Sequence, residues 1–178
     1  MEFTIEKSVE LLSRTPAALT SLLQGIHSDW TSQHEGEGTW TVADTIGHLI
    51  ICEETNFMRR AEIILSDSSE KILAPMNRLA QFDAFKGTAM PELLALFSEA
   101  RKKNLAVLAG YHIKSSDLLL QANHPELGIV TLQQVLATWV AHDMTHIAQI
   151  VRIIARQYTQ AVGPFSRYLR ILGTAEAQ

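Results

Sequence analysis

The sequence predicts an all-α fold, a four-helix bundle, from three observations. Four long segments carry apolar residues at spacings of three and four, none alternates with the period of a strand, and capping signals open the segments beginning at Val42 and Leu132. The chain has 178 residues, which fits one domain spanning 1–178 with a sizeable core. Hydrophobic residues make up 47% and charged residues 19%, a balance that excludes a disordered chain.

The first helix takes Ile5, Val9 and Leu12, then Leu19, Leu22, Leu23 and Ile26. Thr15-Pro16 interrupts this pattern. Proline suits the first helical turn with threonine as N-cap, so this helix is expected to bend or split near Arg14. Residues 28–39, rich in Ser, Thr, Glu and Gly, read as a loop. Thr41-Val42-Ala43-Asp44 then resembles a capping box with Asp in place of Glu or Gln, and Trp40 is placed to staple that helix start to the bundle.

The second helix should run from Val42 to about Leu65, with Ile46, Leu49, Ile50, Glu53 and Phe57 on a wide inner face. Residues 66–87 form a crossover punctuated by Asp67, Pro75 and Gly87, with a turn or two of helix around Leu79, Phe82 and Phe85. A third helix starts at Thr88 to Pro91 and continues through Leu93, Phe97 and Leu105 to about Ala109. Between Tyr111 and Val130, His124-Pro125-Glu126-Leu127-Gly128 marks a turn, and no sheet is expected there. Thr131-Leu132-Gln133-Gln134 is a second capping box, opening the longest helix, through about Tyr158. Gly163-Pro164 ends it and leaves a helical tail from Phe165 to Leu172.

Charge and cysteine usage narrow the function classes. The formal charge is −4, from 15 basic and 19 acidic residues, with no basic run long enough to track phosphates, so nucleic acid is not an expected partner. No apolar stretch approaches the roughly 20 residues that cross a bilayer, and Met1 to Glu10 lacks a signal-peptide profile. A cytoplasmic protein is expected. The single cysteine, Cys52, cannot form an intrachain disulfide and reads as a small buried hydrophobe.

Along the last helix Val135, Trp139, His142, His146, Ile150 and Ile153 share one stripe. Two histidines one turn apart in an apolar seam lose solvation and must satisfy four ring nitrogens. Either hydrogen-bonded core histidines or a shared cation answers that cost, and neutral imidazoles at i and i+4 can both reach one ion. A third ligand would come from a facing helix, where the second helix offers His48, one turn before Cys52. His27, His34, His112 and His124 fall at helix ends or in loops, His124 shaping its turn. His142-Asp143-Met144-Thr145-His146 also resembles the H-E-x-x-H peptidase motif with Asp for Glu, but Arg152 stands where an extended motif needs its third histidine.

Taken together, these residues resemble the DinB-like superfamily, related to the YfiT-type metal-dependent hydrolases. The resemblance runs from Arg14-Thr15-Pro16 through Trp40-Thr41-Val42, His48-Leu49 with Glu53, Ala100-Arg101 with Asn104-Leu105, and His124 to Gly128. It continues through Val130-Thr131-Leu132 and Trp139 to Asp143 with His146 and Gln149, as far as Val162-Gly163-Pro164. It implies a four-helix bundle with a crossover between helices 2 and 3, and a nickel or zinc ion held by His48, His142 and His146. It also implies a small-molecule substrate, with hydrolysis or transfer to a low-molecular-weight thiol as the reaction, and a homodimer.

Three imidazoles leave an open position on a divalent ion, as in catalytic zinc sites. Glu53 is the candidate general base, and Asp143 and Gln149 are candidates to support the ligands from behind. If Cys52 faced the ion, a closed His3Cys site would be structural instead. A metal-stabilised interaction or regulatory protein without turnover is the alternative reading.

Overall fold

The computed structural model describes residues 2–173, so Met1 and the last five positions of the expected 1–178 domain lie outside the described residues. The helices are α1 (Ile5–Leu23), a short α2 (Asp29–Ser32), α3 (Val42–Thr55), α4 (Phe57–Leu65), a short α5 (Ala80–Ala84), α6 (Met90–Gly110) and α7 (Leu132–Arg156). The strands β1 (Gln121–His124) and β2 (Gly128–Thr131) form one antiparallel hairpin. Four helical columns make the bundle, with α3 and α4 together forming the second. α3 packs on α6, α6 on α1, α1 on α7, and α7 on both α3 and α4. Among the described residues no helix is long and apolar enough to cross a membrane.

Both capping boxes form. Thr41 Oγ1 accepts from the Asp44 N–H at 3.1 Å while Asp44 Oδ2 accepts from the Thr41 N–H at 2.9 Å. Thr131 and Gln134 make the same reciprocal pair at the start of α7. Each cap contributes about 1 kcal/mol and sets where the histidine-bearing helices begin.

Three expectations are corrected. The first helix does not split near Arg14, because α1 runs unbroken through Pro16. Proline 16 has no N–H for the carbonyl of Leu12, and Arg101 Nη1 donates to that carbonyl at 2.7 Å instead. A neighbouring helix thus satisfies the acceptor that normally makes an internal proline costly. The second helix is divided at Asn56, whose φ of −114° and ψ of −94° are not helical, into α3 and α4. Finally, a small sheet does occupy part of the 111–130 connection. Its strands are too short to show alternation, and its three-residue loop closes on Gly128 at φ 72°, a left-handed position that glycine adopts without strain. His124 Nδ1 accepts from the N–H groups of Glu126 and Leu127, so His124 does shape its turn. The segment Asp117–Leu119 is a 3₁₀ turn, and residues 163–172 form two more.

The core falls into two apolar clusters. One gathers Leu12, Phe57, Ala61, Leu108, Leu136 and Trp139, and the other Leu19, Ile46, Ile50, Phe97, Ile150 and Ile153. Near the junction of the two clusters each column carries buried or half-buried polar residues or proline: Thr15 and Pro16 on α1, Glu53 on α3, Arg101 and Asn104 on α6, and His142, Asp143 and His146 on α7. A polar layer therefore crosses the middle of the bundle, and the candidate site lies in it.

Candidate metal centre

His48 from α3 and His142 and His146 from α7 are brought together. His142 Nε2 lies 3.2 Å from His48 Nε2 and 3.2 Å from His146 Nε2. His48 is 4% and His146 8% exposed, while His142 is half-buried. Trp40 covers the pair from the loop side, its ring 4.7 Å from that of His48 and stacked 6.0 Å from that of His146. The expected staple thus acts as a wall of the site.

Gln149 fixes the state of one ring. Its Oε1 accepts from His146 Nδ1 at 2.8 Å, which leaves the His146 Nε2 lone pair facing the other two rings. The Nδ1 atoms of His48 and His142 are buried and have no partner among the described residues.

Burial, and then the neighbouring His146, push His48 down to about 4. The same causes, with His48 added, push His142 down to about 3. His146 is lowered by burial too, against the opposing hydrogen bond of Gln149. All three rings are therefore neutral near pH 7. A neutral imidazole has a single N–H, so three converging Nε2 atoms cannot all satisfy one another. A cation would engage all three lone pairs, and a tetrahedral ion with bonds of about 2.0–2.1 Å separates its nitrogens by about 3.3–3.4 Å. The residues present fit a divalent metal.

The low folded values fix a pH dependence. Unfolded imidazoles take up protons near 6.5, while His48 and His142 stay neutral in the folded chain until about 4 and about 3. Between these limits the unfolded chain binds more protons, so stability rises with pH. The metal-free protein should be insensitive to these groups above about pH 7. It should lose at most about 1.4 kcal/mol per pH unit for each histidine as the pH falls from about 6.5 towards 4. Urea unfolding of the metal-free protein across that range measures this, and a level profile would contradict it.

Behind the triad, Arg101 is 1% exposed and bridges two carboxylates that are equally buried. It donates to Glu53 Oε1 from Nε at 3.0 Å and Nη2 at 2.7 Å, and to Asp143 from Nη1 at 2.7 Å and Nη2 at 2.9 Å. Burial opposes its charge, but the hydrogen bonds of Asp143 and the charge of Glu53 outweigh it and hold the guanidinium above its ordinary value. Trp139 Nε1 also donates to Glu53 Oε1 at 2.9 Å, and Asn104 Nδ2 donates to Oε2 at 2.9 Å.

The placement of Glu53 differs from the general-base expectation. Both of its oxygens are occupied by these donors, and it does not line the cavity at the triad. Asp143, one position after a ligand, ties α7 to α6 through the same guanidinium. Arg101 is the functional residue that the motifs above do not mark by its own position. The signal was present, because Leu94, Phe97, Arg101, Leu105 and Leu108 follow helical spacing and put a charge in a core stripe.

Cys52 Sγ lies 3.4 Å from His48 Nε2 and 3.8 Å from His142 Nε2. Burial, and then Glu53, push its thiol up to about 12, so it is protonated near pH 7. The three imidazole nitrogens all lie within 4.8 Å of one another, and the protonated thiol touches two of them without belonging to that candidate ligand set. Nor does Cys52 line the cavity of about 420 Å³ onto which all three histidines open.

A helical bundle that presents three imidazoles to one cavity defines the class. The chain belongs to the DinB superfamily, whose family model matches residues 11–150. Among solved structures it is similar to YfiT from Bacillus subtilis, described as a probable metal-dependent hydrolase with an unusual four-helix bundle topology. The identity is 22%, the match covers 88% of this chain and 90% of that one, and the TM-score is 0.74. No functionally curated protein matches the chain in sequence.

Proposed function

We propose that the chain is a metal-dependent enzyme acting on a small molecule, with His48, His142 and His146 as ligands of a divalent ion, nickel or zinc. The observation that carries this reading is the convergence of three neutral Nε2 atoms on the wall of an open cavity. A bound divalent ion supplies Lewis acidity, which lowers the pKa of water or of a thiol.

The chain's own residues have separate tasks. Gln149 holds His146 in the tautomer whose Nε2 is free to bind. Arg101, through Glu53 and Asp143, holds α3 and α7 at the separation that lets His48 meet His142. Glu53 and Asp143 are thus positioning residues. Trp40 closes one side against water. Cys52 lies off the cavity, which supports a three-ligand open site over a closed His3Cys one.

Hydrolysis is the preferred reaction, supported by the description of YfiT and by a cavity that leaves the triad accessible. Transfer to a low-molecular-weight thiol is the second outcome of one experiment. Nickel- and zinc-loaded protein would be screened against ester and amide substrates and against thiol plus electrophile pairs. Turnover that requires metal and disappears in His142→Ala is expected. Stoichiometric metal binding with no turnover on any pair would replace the enzyme by a metal-stabilised interaction protein.

A further inference from the structure

The same cavity carries two arginines with no carboxylate partner. Arg60, half-buried on α4, donates from Nη2 to the Ala74 carbonyl at 3.3 Å, and Arg78 stands exposed on the crossover. Neither makes an ion pair within 4 Å among the described residues, whereas Arg14, Arg59, Arg101, Arg152 and Arg156 all do. The other arginines without an ion pair, Arg167 and Arg170, sit in the exposed turns after α7. The two that remain, one on α4 and one on the crossover, both line the triad's cavity. Arg78 is near enough to His48 for its charge to contribute to that ring's low basicity. Arg60 is near enough to Glu126, at the hairpin tip, to feel its charge without pairing with it.

A half-buried guanidinium gives up hydration without the charge partner that usually offsets the loss. A second polar group shares this condition. Asn56, at the kink between α3 and α4, lines the cavity and is 6% exposed, and its Oδ1 has no hydrogen-bond partner. The apolar part of the lining includes Trp40, Phe57 and Leu127, the last 72% exposed at the hairpin tip. A volume of about 420 Å³ suits one small molecule.

We propose that Arg60 and Arg78 form an anion subsite beside the three histidines, so that the ligand is a small amphipathic acid. Its carboxylate or phosphate pairs with the guanidiniums, its apolar body rests on Trp40, Phe57 and Leu127, and a donor on it meets Asn56 Oδ1. The placement of the ligand's reactive end rests on the metal-site reading. The anion subsite does not, because the arginines are read from their own lack of partners.

The test is a calorimetric titration of nickel-loaded and chelator-treated protein with phenylbutyrate, phenylpropyl phosphate and neutral phenylbutyramide. In both forms at least one anion should bind about tenfold or more tightly than the amide, since charge-assisted hydrogen bonds discriminate on that scale. The tighter of the two anions identifies the group the subsite takes. R60Q and R78Q should each reduce the preference and the double variant should abolish it, with nickel still bound. R78Q changes an exposed side chain and keeps the test open if R60Q disturbs the α4 packing. Equal binding of acid and amide, a preference that survives in the double variant, or no binding of any probe to wild-type protein would overturn the subsite. Failure of nickel to bind at all, with the preference intact in chelator-treated protein, would overturn only the metal reading.

Discussion

Replacing Arg101 by methionine is expected to lower folding stability by about 3–5 kcal/mol, the usual consequence of leaving buried charges without their partner. The guanidinium donates to two carboxylates and a backbone carbonyl, all in a layer with 1% exposure on each charged side chain. Without it, Glu53 keeps only Trp139 and Asn104, while Asp143 keeps no partner among its hydrogen bonds. The change should appear as an early urea midpoint with an unaltered slope. Lysine should restore only part of the loss, because an ammonium cannot span two carboxylates in fork geometry. If R101M unfolded at the wild-type midpoint, the layer would not organise the bundle. A stable R101M protein that had lost metal affinity would instead show that the arginine serves ligand placement alone.

The second large effect is metal-linked stability. A ligand bound only by the folded state adds about 2.7 kcal/mol at a hundred times its Kd. Nickel or zinc should therefore raise the melting temperature of the wild-type protein by several degrees, as differential scanning calorimetry would show. His142→Ala should remove the shift, since His142 Nε2 is the atom in contact with both other nitrogens. Gln149→Leu should keep a weakened shift, with metal affinity reduced about ten- to a hundredfold, because the His146 ring would lose its orienting acceptor. A wild-type melting curve indifferent to both metals would remove the basis for the metal-dependent reading.

Much of this arrangement is legible in the chain. Helical spacing along the last helix places His142 and His146 on one stripe, and the capping boxes at Thr41 and Thr131 locate the helices that carry the triad. What spacing cannot give is the direction of a polar side chain within a core. From the sequence Glu53 reads as a base facing the ligand or as an ordinary helix charge, and only the position of Arg101 on α6 makes it the partner of a buried cation. The hairpin is hidden for a different reason. Its strands are four residues each, and β1 takes further backbone hydrogen bonds from the crossover, with Asn123 paired to Lys71 and Leu73. That pairing depends on residues some fifty positions away, which local patterns do not encode. The division at Asn56 carries no glycine or proline to announce it.

Proline 16 has a wider consequence. Inside a helix this residue is ordinarily regarded as damage that the surrounding structure tolerates. In α1 the defect becomes a receptor: the missing amide frees an oxygen at the depth where a guanidinium arrives from another helix. Restoring an N–H there, by any other residue, would make the Leu12 oxygen serve a second donor on its other lone pair, so the guanidinium would share an acceptor that it now holds alone.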